Sequence, residues 1–465
     1  MIENDAFKLL LINLFHLNPD DIANILCTTF NKMMVLLVTL TDKHQACPYC
    51  GFTAPKIKEY VTKEITHSAL TTQKCIIKYR ARRYKCSCCG KTFYEFNPFV
   101  FKSQKISILT VHNILKDLKD FNETFTSVAR RYHVSPTSVS TIFDNHVDIG
   151  RNPLPEIINF DEVYAFKSEK SKYVCVLLDF KKQIPVDILP NRKKEYLLNY
   201  FQKIPLEERK NVKYACSDMY EVYRDVVHKV FPSCCMLLDY FHLSQDFHRK
   251  MNEVRIKVMK GYKDNKASDE YYLLKKFNWL LFKNPEDEDK YGRLFDVERE
   301  RKYNSHFKSY MNYYDLRKKL LEINNDLTIC YSLKLELVDF YSKSTVDNAK
   351  ENLENLIRSC IDTNIDEMIA FSNNLINWKQ EIINSFTIVG TEYKVEADKG
   401  QVVVCNKKVN NAIIENRNKI IKCIKNNANG YTNWSRFRNR VMYVLDPNAT
   451  FSLEPREKQS WMHKT

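Results

Sequence analysis

The sequence predicts an α/β core interrupted by a large α-helical insertion and preceded by two small modules, a cysteine-ligated ribbon and a helix-turn-helix. Three observations predict it. Two C-x-x-C-G units stand in the first hundred residues, Cys47-Pro48-Tyr49-Cys50-Gly51 and Cys86-Ser87-Cys88-Cys89-Gly90. Short apolar strands that end in carboxylates begin after residue 156. A long, glycine-poor stretch of mixed charge then runs from about residue 245 to 395.

The chain has 465 residues, 44% of them hydrophobic and 28% charged. That is ordinary globular composition, with room for about three domains. Its formal net charge is +15, from 72 Lys and Arg against 57 Asp and Glu. Such a balance favours polyanionic partners, nucleic acid being the commonest, although a lysine-rich chain without a partner has the same balance. The first residues show no basic segment leading into an apolar one, so no signal peptide is expected. Apolar runs such as Met33 to Val38 are too short to span a bilayer, so no membrane partner is expected and the cytosol is the expected compartment. Fifteen cysteines there read as metal ligands and buried thiols, not as disulfides. With 8 glycines and neither GxxxxGK[ST] nor GxGxxG, a nucleotide-cradling loop is not expected.

Residues 1–100 form the first expected domain, an N-terminal helix with a zinc ribbon. Residues 1 to about 30 read as helical from Phe7, Leu10, Leu11 and Leu14. Residues 33–39, 57–65 and 74–84 read as strands. A tetrahedral zinc ion needs four thiolates, and each C-x-x-C turn supplies two. Cys47, Cys50, Cys86 and Cys89 are the expected ligands, and Cys75 and Cys88 fall outside the spacing. Four thiolates leave no open position, so the zinc is structural. Glycine after each second cysteine permits positive φ. The strand carrying Lys78, Arg80, Arg82, Arg83 and Lys85 suits phosphate contacts, with a solvated strand face as the alternative.

Residues 101–150 form the helix-turn-helix domain. Val128 and Ala129 sit in its first helix and Val134 in the turn. Ser135 is placed to cap the second helix, with Pro136 at its first position. Val139 and Ile142 then face the core, and Thr137, Ser138 and Thr141 face a DNA major groove. A plain helical hairpin is the alternative. Residues 151–155 read as a linker.

Residues 151–244 are the first part of the core. Its β-β-β-α-β-α order, with acids at strand ends, fits a ribonuclease-H-like α/β fold. Asp161 and Asp218 end strands that neighbour each other in such a sheet. Phosphodiester cleavage and transfer are served by two Mg²⁺ (or Mn²⁺) ions on hard carboxylate oxygens. A third acid would come from a packed helix. Glu415, Asn418 and Lys422 lie at i, i+3 and i+7, one helix face offering a metal ligand, an amide and a phosphate-pairing cation. An amphipathic surface helix is the alternative. Residues 245–395 are the helical insertion, and 396–465 the last part of the core with the Glu415 helix and a C-terminal tail. Asp239 and His242 either support the metal and DNA or cap a strand and a helix. Asp179 and Glu162 read as structural.

These residues resemble the ISL3 family of bacterial insertion-sequence transposases over nearly the whole chain. The resemblance rests on the CPxCG knuckle, the second C-x-x-C and the helix-turn-helix. It continues through Phe160-Asp161-Glu162, Ser217-Asp218-Met219-Tyr220 and Asp239-Tyr240-Phe241-His242. Its last part is Glu415-Asn416-Arg417-Asn418, Lys422, Gly430-Tyr431-Thr432-Asn433-Trp434 and Phe437-Arg438-Asn439-Arg440. The D-x-F-H and E-x-x-N-x-x-x-K strings are the most specific. The resemblance implies a DNA transposase of the Asp-Asp-Glu class, with Asp161, Asp218 and Glu415 as its catalytic metal ligands. It implies double-stranded DNA as partner (terminal inverted repeats and target DNA), a homodimer in the synaptic complex, and a cytoplasmic, nucleoid-associated place in a bacterium. The additional Cys88 and the Lys- and Asn-rich core depart from the pattern without removing an acid. A DNA-binding regulator or inactive relic on the same scaffold, and a nuclease that hydrolyses without joining, are the competing readings.

Overall fold

In a computed structural model of the chain, the described residues are 2–43, 45–53, 55–68, 70, 72–101, 104–166, 171–395 and 402–456. The helical period near the N-terminus holds only over α1 (Ile2–Leu14). The helix expected to reach residue 30 ends early, and residues Ile22–Phe30 are strand β1. Ile22, Ile25, Thr28 and Thr29 are β-branched and suit a pleated surface. Asn31 and Lys32 take φ of 48° and 60°. Two consecutive left-handed residues make the tight hairpin turn that joins β1 to β2 (Met33–Leu40). With β3 (Lys56–Thr66), β4 (Cys75–Lys85) and β5 (Thr92–Tyr94) these form a sheet of order β1-β2-β4-β3, β5 pairing with β4. Leu11, Ile12 and Phe15 pack on Leu36, Cys75 and Ile77 to bury it.

Next come α2 (Ile108–Asp117), α3 (Phe125–Arg131) and α4 (Pro136–His146). Thr124 caps α3 and Ser135 caps α4, each accepting from the amide three residues on. Val128, Ala129, Val139 and Phe143 are buried between the helices, as their spacing requires. The expected linker at 151–155 is docked: Asn152 donates its amide to Val186 across 2.9 Å, and Arg151 grips Glu208 with two nitrogens.

The core sheet holds β6 (Ile157–Val163), β7 (Val174–Asp179), β8 (Pro185–Leu189), β9 (Tyr214–Ser217) and β10 (Cys235–Leu238). Their spatial order is β10-β9-β6-β7-β8. The β6-β7-β8 ladder is antiparallel, and β6-β9-β10 is parallel. Parallel pairing needs helical crossovers, so both faces become covered. On one face lie α5 (Lys194–Gln202) and α7 (Glu221–Val230), through Leu197, Phe201, Tyr223 and Val227, with the short α6 (Leu206–Lys210) between them in sequence.

The chain leaves the sheet through α8 (Tyr240–Lys260) and builds a second core from α9 (Asp269–Lys276), α10 (Tyr313–Glu322), α11 (Asn325–Lys343), α12 (Ala349–Asp362), α13 (Asp366–Asn377) and α14 (Lys379–Asn384). Two short hairpins interrupt it, β11 (Glu288–Asp289) with β12 (Gly292–Arg293), and β13 (Lys302–Asn304) with β14 (Ser309–Met311). The chain returns along β15 (Ile388–Val395), which pairs with β16 (Val402–Lys408). The boundary expected at 244/245 therefore falls inside α8, and that at 395/396 falls at the end of β15, next to residues outside those described.

Helix α15 (Ala412–Asn427) then covers the second face of the core sheet with Ile414, Ile421 and Ile424, together with Phe437 and Val441 of α16 (Trp434–Leu445). The Arg-rich α16 is a bracket. Arg436 pairs with Asp144 of α4, and Arg438 with Asp187 of β8. The buried Arg440 donates to the carbonyls of Asp120 and Glu123. No helix among the described residues is long and apolar enough to cross a membrane.

Candidate active site and metal centres

Asp161 stands near the end of the middle strand of the core sheet and is partly buried. One oxygen accepts the Glu162 amide at 2.7 Å, and the other accepts the side-chain amide of Asn418 at 2.7 Å. Burial lifts its pKa to about 7, the Glu162 amide works against the rise, and the nearby charge of Asp218 adds to it. Asp218 follows β9 directly. Burial raises its pKa to about 6, with the Glu162 charge contributing. Its Oδ1 is shielded from solvent and has no hydrogen-bond partner. Neighbouring desolvated carboxylates are costly unless protons or a cation neutralise them, so this donor set fits a hard divalent ion.

Glu415 lies in the first turn of α15, half-buried. The start of that helix is fixed by Asn411, a fully buried residue with three ties. Its amide faces Asp239 Oδ1 at 3.4 Å, its Nδ2 faces the Phe160 carbonyl at 3.4 Å, and its Oδ1 accepts from Asn159 at 2.7 Å. Glu415 is thereby set beside His242, with Oε1 3.9 Å from Nε2, and His242 Nε2 is 3.8 Å from Asp239 Oδ2. Ligand atoms of Asp239, His242 and Glu415 lie within 4.8 Å of one another. Among the described residues, Asp161, Asp218 and Glu415 do not form such a group by themselves. The link between the two sets is Asn418, one turn from Glu415 and bonded to Asp161. Lys422, on the same helix face, is open to solvent.

A groove of about 340 Å³ beside Asp218 is lined by Met219, His242, Gln245, Asp246 and Arg249. Sequence reasoning missed Gln245 and Arg249, although they follow His242 at i+3 and i+7. It also missed Asn411, whose partners lie 172 and more positions away. Glu162 pairs with Arg192, and Asp179 accepts the amides of Lys181 and Lys182 in the β7–β8 turn. Both fit the structural reading.

The four expected thiolates converge. Cys47 and Cys89 sulfurs are 3.7 Å apart, and those of Cys50 and Cys86 are 3.5 Å apart. Four sulfurs at ~2.3 Å around one zinc would be ~3.8 Å apart, so the set fits. Gly51 and Gly90 take φ of 75° and 71°, closing both knuckles. The Cys89 amide holds the Cys86 thiol down at about 7. Cys88 is exposed outside the cluster, and Cys75 is buried in the core of the N-terminal sheet.

The arginines of the basic strand do not all face solvent. Arg82 was expected on a DNA-facing surface, but its guanidinium is turned inward onto Glu95 at 2.7 Å and the carbonyls of Leu40 and Thr41. The cause is Glu95, almost wholly buried and in need of a cation. Arg83 pairs with Glu59, while Arg80 is exposed and lies over Tyr60. Thr137 and Thr141 are exposed on α4, and Ser138 shares its hydroxyl with the Ser135 cap.

A family model described as a transposase, of the ISL3 group, matches residues 158–397, just over half the chain. Asp161 and Asp218 lie within that span, and Glu415 lies beyond it. The transposase for insertion sequence element IS1001 of Bordetella parapertussis is 19% identical over 411 residues, covering 88% of this chain and 91% of that protein.

Proposed function

The chain belongs to the ISL3 family of transposases, and from that premise we propose that it is an Asp-Asp-Glu polynucleotidyl transferase that binds the terminal inverted repeats of an insertion sequence and cuts and joins DNA there. The observation that carries this reading is the meeting of Asp161 and Asp218, at the ends of the neighbouring interior strands β6 and β9, with the helix of Glu415, clasped by the Asn418–Asp161 bond. The strand order, with the antiparallel β8-β7-β6 ladder continued by parallel β9 and β10, supports a ribonuclease-H-like core.

Two Mg²⁺ or Mn²⁺ ions on Asp161, Asp218 and Glu415 would activate the attacking oxygen and stabilise the leaving one. The chain's own residues prepare that site. Asn418 fixes the rotamer of Asp161, and Asn411 fixes the entry of α15. Burial of Asp161 and Asp218 raises their demand for a cation. Lys422, open to solvent, would pair a backbone phosphate, as would Arg249, whose guanidinium also meets Asp246. Thr137, Ser138 and Thr141 would read a major groove, Arg80 and Arg83 would meet phosphates, and the Cys47-Cys50-Cys86-Cys89 zinc would hold that module together. Two ends must be brought together, which calls for a homodimer on double-stranded DNA, in the cytoplasm of a bacterium.

The test is to incubate the protein with Mg²⁺ and the DNA flanking its own gene, with Glu415→Gln in parallel, and to map the cuts. Cutting at an inverted-repeat boundary by the wild type alone establishes the reaction and the third acid. Binding without cutting by either protein moves the reading to a regulator or a relic. Equal cutting by both keeps the enzyme and removes Glu415 from its site. Cut ends that are never joined leave a nuclease.

A further inference from the structure

We infer that the ion on the Glu415 side of the site is held by a mixed set, Asp239, His242 and Glu415, with the imidazole Nε2 as a direct ligand, while Asp161 and Asp218 hold the other ion. The inference rests on the two-metal reading above and assigns its ligands.

Four features carry it. First, the ligand atoms are already gathered. Oxygens and nitrogens ~2.1 Å from one ion stand ~3 Å apart in cis and ~4.2 Å apart in trans. The 3.8 Å and 3.9 Å spacings around His242 Nε2 lie inside that range. Second, His242 Nε2 is shielded from solvent and has no hydrogen-bond partner. At these distances neither carboxylate is hydrogen-bonded to it. A buried ring nitrogen left so is costly, and an ion would satisfy it. Third, Asp239 heads α8 with its side chain only 5% exposed, so its carboxylate is desolvated and calls for a cation. The Asn411 amide holds its Oδ1, which leaves Oδ2 facing His242. Fourth, Asn411 connects this trio to β6, so the two ligand sets share one frame.

One nitrogen among the ligands has a consequence. Imidazole suits the later transition metals better than Mg²⁺, which prefers oxygen alone. The Glu415-side ion should therefore be Mn²⁺ in preference to Mg²⁺, by a margin that an all-carboxylate site would lack.

The experiment uses the full-length, zinc-loaded protein with its DNA ends and added Mn²⁺, read by pulsed electron paramagnetic resonance for coupling to ¹⁴N and by Mn²⁺ titration. The expected result is nitrogen coupling in the wild type that is lost in His242→Ala and His242→Gln, with Mn²⁺ affinity at one site roughly tenfold weaker. Resistance of the core after residue 151 to limited proteolysis, equal to that of the wild type, reports that each variant is folded around the site, and His242→Gln keeps the volume if the alanine variant does not fold. Bound Mn²⁺ without nitrogen coupling, or coupling that persists in both variants, overturns the inference and leaves the two-metal reading standing. Failure of the wild type to bind Mn²⁺ at all overturns both.

Discussion

Asn418 donates its side-chain amide to Asp161 across 2.7 Å, joining residues 257 positions apart. The bond holds a carboxylate whose other oxygen accepts the Glu162 amide. Loss of such an outer contact lowers metal affinity or activity by about 10–100-fold in metal sites. Asn418→Ala should slow single-turnover cleavage by about that factor while the gel-shift affinity for DNA ends is unchanged. Asn418→Asp should be worse, because it sets a second charge against Asp161. Unchanged cleavage in Asn418→Ala would show that Asp161 is held in place without this bond.

The raised carboxyls make the metal-free protein sensitive to pH. Asp161 titrates at about 7 and Asp218 at about 6 in the fold, against ~3.9 for an unfolded aspartate. A folded pKa above the unfolded one means that the native state binds more protons. The stabilisation is complete below pH ~4 and is lost as pH rises to about 7. Metal-free protein should melt lower at pH 8 than at pH 6. Asp161→Asn should raise its stability at pH 8, by on the order of 1–3 kcal/mol, with the gain fading towards pH 5. Asn418 can turn its amide to meet the new side chain. Calorimetry of both proteins in chelator, across pH, checks this; parallel melting curves would refute it.

Much of this site was legible in the letters because its residues are tied to local signals. The two knuckles announce themselves by C-x-x-C-G, and the Ser135-Pro136 helix start by its cap chemistry. Glu415 and Asn418 share a face because a helix repeats every 3.6 residues. What was not legible depends on contacts between distant segments. Asn411 has no local pattern, since its partners come from β6 and from the head of α8. Arg82 looked like any basic strand residue, and only the fold shows the buried Glu95 beneath it. The strand over Ile22–Phe30 was hidden by the helical period of the residues before it. The arginines of α16 read as part of a family string, and their bracket role needed Asp144 and Asp187 in space.

Zinc should hold the N-terminal module together. Cys47 and Cys86 share a small core with Tyr84 and Phe93, too little apolar surface to stand alone. One zinc per chain is expected by elemental analysis, lost in Cys47→Ser. Without it, limited proteolysis should cut between residues 45 and 95 while the core after residue 151 resists. Cys88→Ser should keep the metal, because Cys88 lies outside the cluster. Zinc-free protein with an intact, protease-resistant N-terminal module would defeat the assignment.

The two arginines of β4 should separate folding from binding. Arg82 and Glu95 form a largely buried pair, the side chains 14% and 4% exposed. Removing one partner of such a pair leaves the other charge stranded, a loss of about 3–5 kcal/mol in fully buried cases and somewhat less here. Arg82→Ala should therefore lower the melting temperature of the N-terminal module, and Arg82→Ala with Glu95→Gln should recover part of that loss. Arg80 is exposed, and its cation lies 5.0 Å from the centre of the Tyr60 ring. Arg80→Ala should leave the melting temperature alone. If Arg80 meets one phosphate, the variant should bind DNA ends more weakly and reduce the slope of log affinity against log salt by about 0.9. An unchanged slope would remove Arg80 from the DNA surface, and a salt effect in the Arg82 variant without loss of stability would reverse the roles assigned to the two.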